Sequence, residues 1–155
     1  MRSEWHRRRR RADDRGFTLI ELLVVLMIIG VLAAVAIPVM LSQRAKAKDI
    51  AARADATTLG KEIATYYADN AGAPTVAIVA GRYQVAGGDV GAVSNGVTLG
   101  SIAATPIAAT SADTTGWTST AWCVNVISAG GSKKYFTYSA QNGLGTGVCA
   151  TASTP

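Results

Sequence analysis

The chain has 155 residues, of which 49% are hydrophobic and 16% are charged, so it suffices for about one domain and is too apolar to be disordered throughout. Its formal net charge of +5 comes largely from the first sixteen residues, which hold seven of the fifteen Lys and Arg residues. The basic character therefore belongs to a leader, which argues against a nucleic-acid-binding surface. The single histidine, His6, also lies there, so the rest of the chain has no imidazole for the usual zinc sites or for a histidine-based catalytic triad.

Residues 1–16 form a polar leader that contains five consecutive arginines, Arg7 to Arg11. Next to an apolar segment, such a run is typical of the positively charged start of an export signal. Residues 17–41 follow, and Glu21 is their only ionisable side chain. A helix of this length reaches roughly 37 Å, more than the hydrocarbon core of about 30 Å. The pattern predicts one membrane-spanning helix with the leader on the cytoplasmic side.

Two ordinary interpretations of the apolar segment fit less well. A cleaved secretory signal could use the small residues Ala34 and Ala36, but the apolar run is longer than the roughly 7 to 15 residues that are usual. A plain uncleaved anchor accounts for the length and the flanking charge. It leaves unexplained the carboxylate of Glu21, four residues into the apolar stretch.

Residues 42–70 remain helical in character and become amphipathic. Lys48, Asp55 and Glu62 are predicted to lie away from the apolar face of this helix. The residues that recur at spacings of three and four, and so share the apolar face, are Ala52, Ala56, Leu59, Ile63 and Tyr66. Because no Gly or Pro lies between Met40 and Leu59, we expect one helix continuous with the membrane segment. Its interior weak point is Gly60, and its end is marked by Asn70, Gly72 and Pro74.

Residues 71–155 are rich in glycine and poor in charge, and they are predicted to form a β-rich unit. Residues 128–132 fit a hairpin loop, and residues 86–115 have poor periodicity and are interpreted as loop and weak strand. The stretches with β-forming composition are 75–85, 117–127 and 133–140. We expect a small antiparallel sheet covered by the amphipathic helix face, which is an α+β fold.

The junction between the leader and the apolar segment has the sequence Gly-Phe-Thr-Leu-Ile-Glu, from Gly16 to Glu21. It resembles the processing motif of type IV prepilins, and the likeness covers roughly residues 15–45. The resemblance implies the type IV pilin fold, prepilin peptidase cleavage between Gly16 and Phe17, N-methylation of Phe17, and a recognition and assembly role for Glu21. It also implies that Gly30 and Pro38 weaken the helix, because pilins commonly place a glycine and a proline there.

The chemistry of this junction has its own consequence. Cleavage before Phe17 would create an α-ammonium group, and Glu21 would lie about 6 Å further along the helix axis. In two axially staggered helices, the ammonium of one can meet the carboxylate of the other. At 4 Å and an effective dielectric of about 20, this attraction is roughly 4 kcal/mol before desolvation is subtracted. We therefore expect the pair to fix the register of an assembly more than to add stability.

Cys123 and Cys149 are the only cysteines, and both follow the membrane segment. An outward-facing compartment favours a disulfide, and the resemblance implies one, since type IV pilins commonly close a C-terminal loop this way. A catalytic thiol would require a histidine partner. Lys133 and Lys134 are interpreted as a solvated strand end in preference to a DNA contact.

The resemblance implies a structural subunit of a type IV pilus, with no enzymatic activity, cofactor or metal. Its partners would be further copies of itself, the prepilin peptidase, membrane lipid before assembly, and a pilus-assembly platform with a cytoplasmic ATPase; nucleic acid is not indicated. The subunit would be a single-pass protein of the cytoplasmic membrane before assembly and part of an extracellular pilus afterwards, where such filaments serve adhesion and motility.

Two alternatives stay open at this point. One is a pseudopilin of a type II secretion or competence system, which shares the helix and the processing site. The other, from a different class, is a membrane-anchored extracellular binding module. A cysteine bridge, and a sequence without an acidic cluster suggestive of the pseudopilin calcium site, favour the pilin.

Overall fold

The computed structural model describes residues 16–100 and 108–149, so the predicted leader lies outside the described residues except for Gly16. The longest element is helix α1, Leu19–Asp69, which has 51 residues. The chain divides into two compact units, one ending at Val39 and the other beginning at Met40. The single long helix predicted from the sequence is confirmed.

Helix α1 ends at the predicted position because its last turn is capped. The backbone N–H and the side-chain amide of Asn70 both donate to the carbonyl of Tyr66, at 3.1 and 3.0 Å. Carbonyls of the last turn have no partner within a helix, so these two bonds satisfy one that would otherwise depend on water.

Two antiparallel sheets follow the helix within the described residues. The strands are β1 Val76–Val79, β2 Arg82–Val85, β3 Gly88–Ala92, β4 Val97–Gly100, β5 Ala108–Ala109, β6 Cys123–Ser128, β7 Tyr135–Ser139 and β8 Gly143–Thr146. One sheet has the order β1-β2-β3, and the other has the order β5-β4-β6-β7-β8. The α+β class is confirmed, but the sequence predicted one sheet where the structure has two.

The three-stranded sheet is built from two tight hairpins that the sequence interpretation did not separate. Ala80 and Gly81 join β1 to β2 with φ angles of 50° and 74°, and Ala86 and Gly87 join β2 to β3 with φ angles of 51° and 81°. Two consecutive positive φ angles are those of a type I′ turn, which matches the twist of paired strands. The stretch 75–85, predicted from its β-forming composition, is therefore a hairpin of two strands. Alanine is an unusual residue at positive φ, which is why the turns were missed.

Three other assignments in the β-rich unit are corrected. Residues 86–115 were expected to be loop and weak strand, but they contain β3, β4 and β5, with residues 101–107 outside the described part. In the stretch 117–127, only the portion from Cys123 onward is strand. Ser128 belongs to β6 and not to the loop that follows it. Glycine-rich strands such as β3 carry little side-chain pattern, so backbone pairing decides them.

The core of the C-terminal unit lies between helix α1 and the sheets, as predicted. The helix contributes Ala52, Ala56, Leu59 and Ile63, all with no exposed surface, and Tyr66 is partly buried beside them. The sheet residues at the centre of this core are Leu99, Val124, Val126 and Phe136, also with no exposed surface. Burying a side chain such as Leu59 or Ile63 contributes about 1.5 to 3 kcal/mol, so this face holds the helix on the sheet.

Asp55 lies in this core and not on the solvent side of the helix, which corrects the sequence prediction. Its carboxylate accepts hydrogen bonds from the Tyr83 hydroxyl at 3.0 Å, from the Ser94 N–H at 3.0 Å and from the Ser94 hydroxyl at 2.8 Å. Position 55 follows Ala52 by three residues and precedes Leu59 by four, so its spacing already placed it on the buried face. Only its polarity suggested otherwise, and the partners that make burial tolerable come from distant parts of the chain.

Gly60 lets the five-stranded sheet approach the helix. A Cβ atom at this position would overlap the ring of Tyr138, which also stacks on Trp122 with ring centroids 6.0 Å apart. The sequence interpretation treated Gly60 as a weak point of the helix. The structure gives it a packing role instead.

We predict that Gly60→Ala lowers the free energy of unfolding of the chain in detergent by about 1 to 3 kcal/mol, because the new methyl group displaces the Tyr138 ring. In a Tyr138→Ala background the same change should be neutral or stabilising, because alanine is the better helix former by about 1 kcal/mol. Urea unfolding of the four proteins of this double-mutant cycle measures the difference. Equal effects of Gly60→Ala in both backgrounds would contradict the packing role.

The second prediction concerns alkaline pH. Burial, helped by the nearby Asp55 carboxylate and the hydrogen bond to it, raises the pKa of Tyr83 well above its ordinary value of 10.0. The folded state therefore keeps the phenol proton that the unfolded state loses. The contribution of Tyr83 to the free energy of unfolding is complete below pH 10 and decreases above it, by about 1.4 kcal/mol per pH unit for one proton.

We expect Tyr83→Phe to remove this loss between pH 10 and 11 while lowering stability at pH 7 by about 1.5 to 3 kcal/mol, the usual contribution of a hydrogen bond to a charged group. Unfolding free energies at several pH values give both numbers. Tyr135→Phe is the matched control, because Tyr135 is only partly buried. If the alkaline loss persisted in Tyr83→Phe, another group would be its source.

Candidate functional site

The amino-terminal end of helix α1 is fixed by Thr18. Its side-chain hydroxyl accepts a hydrogen bond from the N–H of Glu21 at 3.3 Å, and its carbonyl accepts the N–H of Leu22 at 3.3 Å. This is the geometry of a helix N-cap, with Glu21 at the third helical position. The spacing Thr-x-x-Glu is a recognised capping signature that the sequence interpretation did not use.

Gly16 and Phe17 precede this cap and remain outside the helix. Among the described residues other than its chain neighbour, no atom lies within 4 Å of the position that a Cβ on Gly16 would take, so packing against them does not require glycine there. Phe17 is 83% exposed. An exposed, non-helical backbone next to a capped helix is the conformation that a protease can engage.

Glu21 lies on the exposed surface of the first helical turn. A carboxylate in this turn interacts favourably with the positive end of the helix dipole. The same location places it at the start of the apolar segment, four residues beyond Phe17. The residue can therefore serve the helix end of its own chain and also face a neighbouring molecule.

The apolar segment presents a continuous exposed surface. Every large apolar side chain from Phe17 to Leu41 is at least 45% exposed. The helix that carries them is long and apolar enough to cross a membrane. Soluble monomers seldom expose apolar patches beyond a few hundred Å², so this surface requires lipid or other protein around it. With the comparisons below, it indicates membrane anchoring.

Gly30 and Pro38 both lie inside the continuous helix. Pro38 has no N–H to donate to the carbonyl of Ala34, and its ring crowds that carbonyl. Beyond the adjacent residues and the backbone of the helix itself, no described atom lies within 4 Å of a Cβ built on Gly30, so its small size leaves room on the helix surface. The helix does not open at either residue in the single chain, and their helix-weakening role stays a prediction.

Cys123 and Cys149 form a disulfide in the C-terminal unit. The bridge joins the first residue of β6 to the segment after β8, and the N–H of Cys149 donates to the buried side-chain oxygen of Asn125 at 2.8 Å. In the chain-entropy model, closing a loop of this length stabilises by about 3 to 4 kcal/mol. The bridge fastens the edge of the five-stranded sheet to its centre.

The ionisable groups of the C-terminal unit form local pairs. A hydrogen bond from Arg82 at 2.7 Å lowers the pKa of Asp89, and hydrogen bonds from Thr115 lower the pKa of Asp113. Within residues 16–100 and 108–149, no three His, Cys, Asp or Glu side chains come together in a way that could hold a metal ion.

Comparison with known proteins places this junction in a defined family. The family profile described as the prokaryotic N-terminal methylation motif matches residues 11–37. Type II secretion system core protein G of Dickeya chrysanthemi is 39% identical over 62 residues, 40% of this chain and 40% of that protein. The protein of the same name from Escherichia coli K12 is 42% identical over 67 residues, 42% of this chain and 46% of that protein.

A fimbrial relative matches over a longer stretch. Fimbrial protein EcpC of Eikenella corrodens is 36% identical over 102 residues, which is 61% of this chain and 67% of that protein. The chain covers less than half the length of the secretion-system relatives that it matches. No solved structure matches it significantly. Together with the long apolar helix packed on antiparallel sheets, the methylation motif and these relatives show that the chain belongs to the type IV pilin and pseudopilin superfamily.

Proposed function

We propose that this chain is a structural subunit of a type IV pilus, which polymerises through helix α1 after prepilin peptidase cuts between Gly16 and Phe17. The observation that carries the proposal is the apolar surface from Phe17 to Leu41, of which every large side chain is at least 45% exposed. Lipid covers this surface while the subunit waits in the cytoplasmic membrane. Other copies of the same helix cover it in the extracellular filament.

The small residues of the segment support close packing of neighbouring helices. Gly30, Ala33, Ala34 and Ala36 are spaced by one to three residues, and small side chains let helix backbones approach each other. Apolar contact alone leaves the axial position of one helix against another poorly defined. The Phe17 ammonium and the Glu21 carboxylate of a neighbouring copy supply the specific pair that sets this register.

The assembly would require a membrane platform and its cytoplasmic ATPase, because each subunit has to leave the lipid before it joins the filament. A helix that can lengthen between Gly30 and Pro38 would help the subunit adapt to its neighbours. No enzymatic step is assigned to the chain itself. Its chemistry is limited to being processed at Phe17 and to packing.

Two observations support a pilin over a secretion pseudopilin. The disulfide between Cys123 and Cys149 closes the C-terminal region. The match to the fimbrial protein covers 61% of this chain, which is longer than residues 1–69. It therefore has to extend into the β-rich part. The matches to the secretion-system proteins span 62 and 67 residues, so they are no longer than the leader and helix α1 together.

The processing proposal predicts the amino terminus of the mature protein. Mass spectrometry of the protein from its native membrane should give a chain that starts at N-methylated Phe17. Gly16→Val should leave the leader attached, since the branched side chain occupies space beside the scissile bond, whereas Gly30→Val should be cleaved normally. A terminus at Met1 or Ile37 in the native protein would contradict the cleavage site.

The register proposal predicts a loss of assembly in Glu21→Ala. We expect the yield of sheared surface fibres to fall about tenfold or more, because even one third of the roughly 4 kcal/mol attraction corresponds to that factor. Glu62→Ala is the matched control, since it removes an exposed carboxylate from the same helix outside the apolar segment. Normal fibre yield and normal processing in Glu21→Ala would reject the register role.

The pseudopilin alternative rests on the secretion-system relatives. Deletion of the gene distinguishes the two roles in the native cell. Loss of surface fibres with normal protein secretion agrees with the pilus subunit, whereas loss of secretion with intact fibres favours the pseudopilin. Isolation of filaments that contain this chain would reject the membrane-anchored binding module.

A further inference from the structure

The charges of the C-terminal unit are unevenly distributed. Beyond residue 41 the sequence has eight basic and six acidic residues, and six of the basic ones fall in two short stretches, 44–53 and 133–134. The only acidic residue in these two stretches is Asp49. The rest of the unit then has two basic and five acidic residues.

The fold brings the two basic stretches together. The side chain of Lys48 donates to the carbonyl of Ala129 at 3.2 Å, and the backbone N–H of Lys133 donates to both carboxylate oxygens of Asp49, at 3.1 and 3.2 Å. Gly130 and Gly131 make this approach possible, since a Cβ on either would press on Lys48 or Asp49. The turn between β6 and β7 is thus held against helix α1.

The contact forms a shallow groove that we call the basic groove. It is lined by Lys46, Asp49, Ile50, Arg53, Lys133 and Phe136. The guanidinium of Arg53 lies over the Phe136 ring, 5.6 Å from its centroid. Ile50 is 68% exposed, so a solvent-exposed apolar side chain lies in the same groove as the cations of Lys46, Arg53 and Lys133. This combination of cationic side chains and an exposed apolar one suits the headgroup region of a membrane.

Chain connectivity keeps the basic groove close to the membrane. Lys46 follows Leu41, the last residue of the apolar segment, by five residues, which span at most about 18 Å even when fully extended. The Asp49 bonds bring Lys133 to the same place, although it lies 84 residues further along the chain. Neither stretch alone gives this arrangement.

We propose that the basic groove binds the phosphate headgroups of anionic lipid while the subunit is still anchored in the membrane. This inference rests on the membrane stage of the proposed function. Because only a few residues connect the groove to the apolar segment, even weak phosphate contacts are occupied at a high effective concentration. The groove offers few cations, whereas proteins that depend on DNA phosphates make roughly 6 to 10 such contacts. An anionic bilayer is therefore the better match.

Lysine acylation in lipid nanodiscs tests the proposal on the full chain. The chain is placed in nanodiscs of phosphatidylcholine alone or with added phosphatidylglycerol, treated with an uncharged acylating reagent, and analysed by mass spectrometry. Lys133 should react about fivefold more slowly in the anionic nanodiscs, the factor expected for one cation at an anionic surface. Lys61 on the same helix should react equally in both and serves as the internal control. Equal rates for Lys133 would overturn the proposal.

Two charge-matched variants sharpen the test. Lys46→Gln with Arg53→Gln removes two cations of the groove and should abolish the lipid-dependent protection of Lys133, whereas Lys61→Gln with Arg82→Gln should preserve it; near-ultraviolet circular dichroism verifies that both fold. Protection of Lys133 by short duplex DNA in neutral nanodiscs, equal to that by anionic lipid, would also overturn the lipid assignment. The fibre assay of Glu21→Ala tests the polymer role separately, so equal acylation rates would reject only the lipid site.

Discussion

The fold depends on one helix that has to satisfy two environments. From Leu22 to Leu41 its side chains are apolar on all sides, and from Ala52 onward only one face is buried. Each environment stabilises helix in its own way: lipid leaves the backbone no other hydrogen-bond partners, and the sheet buries an apolar face. A continuous helix satisfies both requirements without a linker.

The buried face carries more than apolar contact. The carboxylate of Asp55 holds Tyr83 in β2 and Ser94 between β3 and β4, so the three-stranded sheet is fastened to the helix by directional bonds. Gly60 admits Tyr138 of the five-stranded sheet. Apolar burial alone would let the helix slide over the sheets. The hydrogen bonds of Asp55 and the fit of the Tyr138 ring against Gly60 fix the helix in a single position.

At the apolar segment, too, apolar and polar side chains have different roles. The apolar segment provides most of the free energy for leaving water but little positional information. Position comes from a few polar groups: Thr18 determines where the helix begins, and Glu21 is proposed to set the register against a neighbouring copy. At the other end of the segment, the basic groove is assembled from two distant stretches by the Lys48 and Asp49 contacts. The apolar side chains thus favour burial of the segment, and the polar groups determine its position.

The sequence by itself determined the long helix, its apolar part, the buried apolar positions Ala52, Ala56, Leu59 and Ile63, and the N-terminal methylation motif, because each depends on a local pattern of side chains or on consecutive residues. The family comparisons agree with that motif. Only the tertiary structure decided the burial of Asp55, the second sheet with its alanine-glycine turns, the strands inside residues 86–115 and the meeting of Lys133 with Asp49. The burial of Asp55, the pairing of β4 with β6 and the contact of Lys133 with Asp49 depend on partners that are distant in the chain, which a local pattern does not identify. The two tight hairpins are local, but they turn at alanine residues with positive φ, which composition does not reveal.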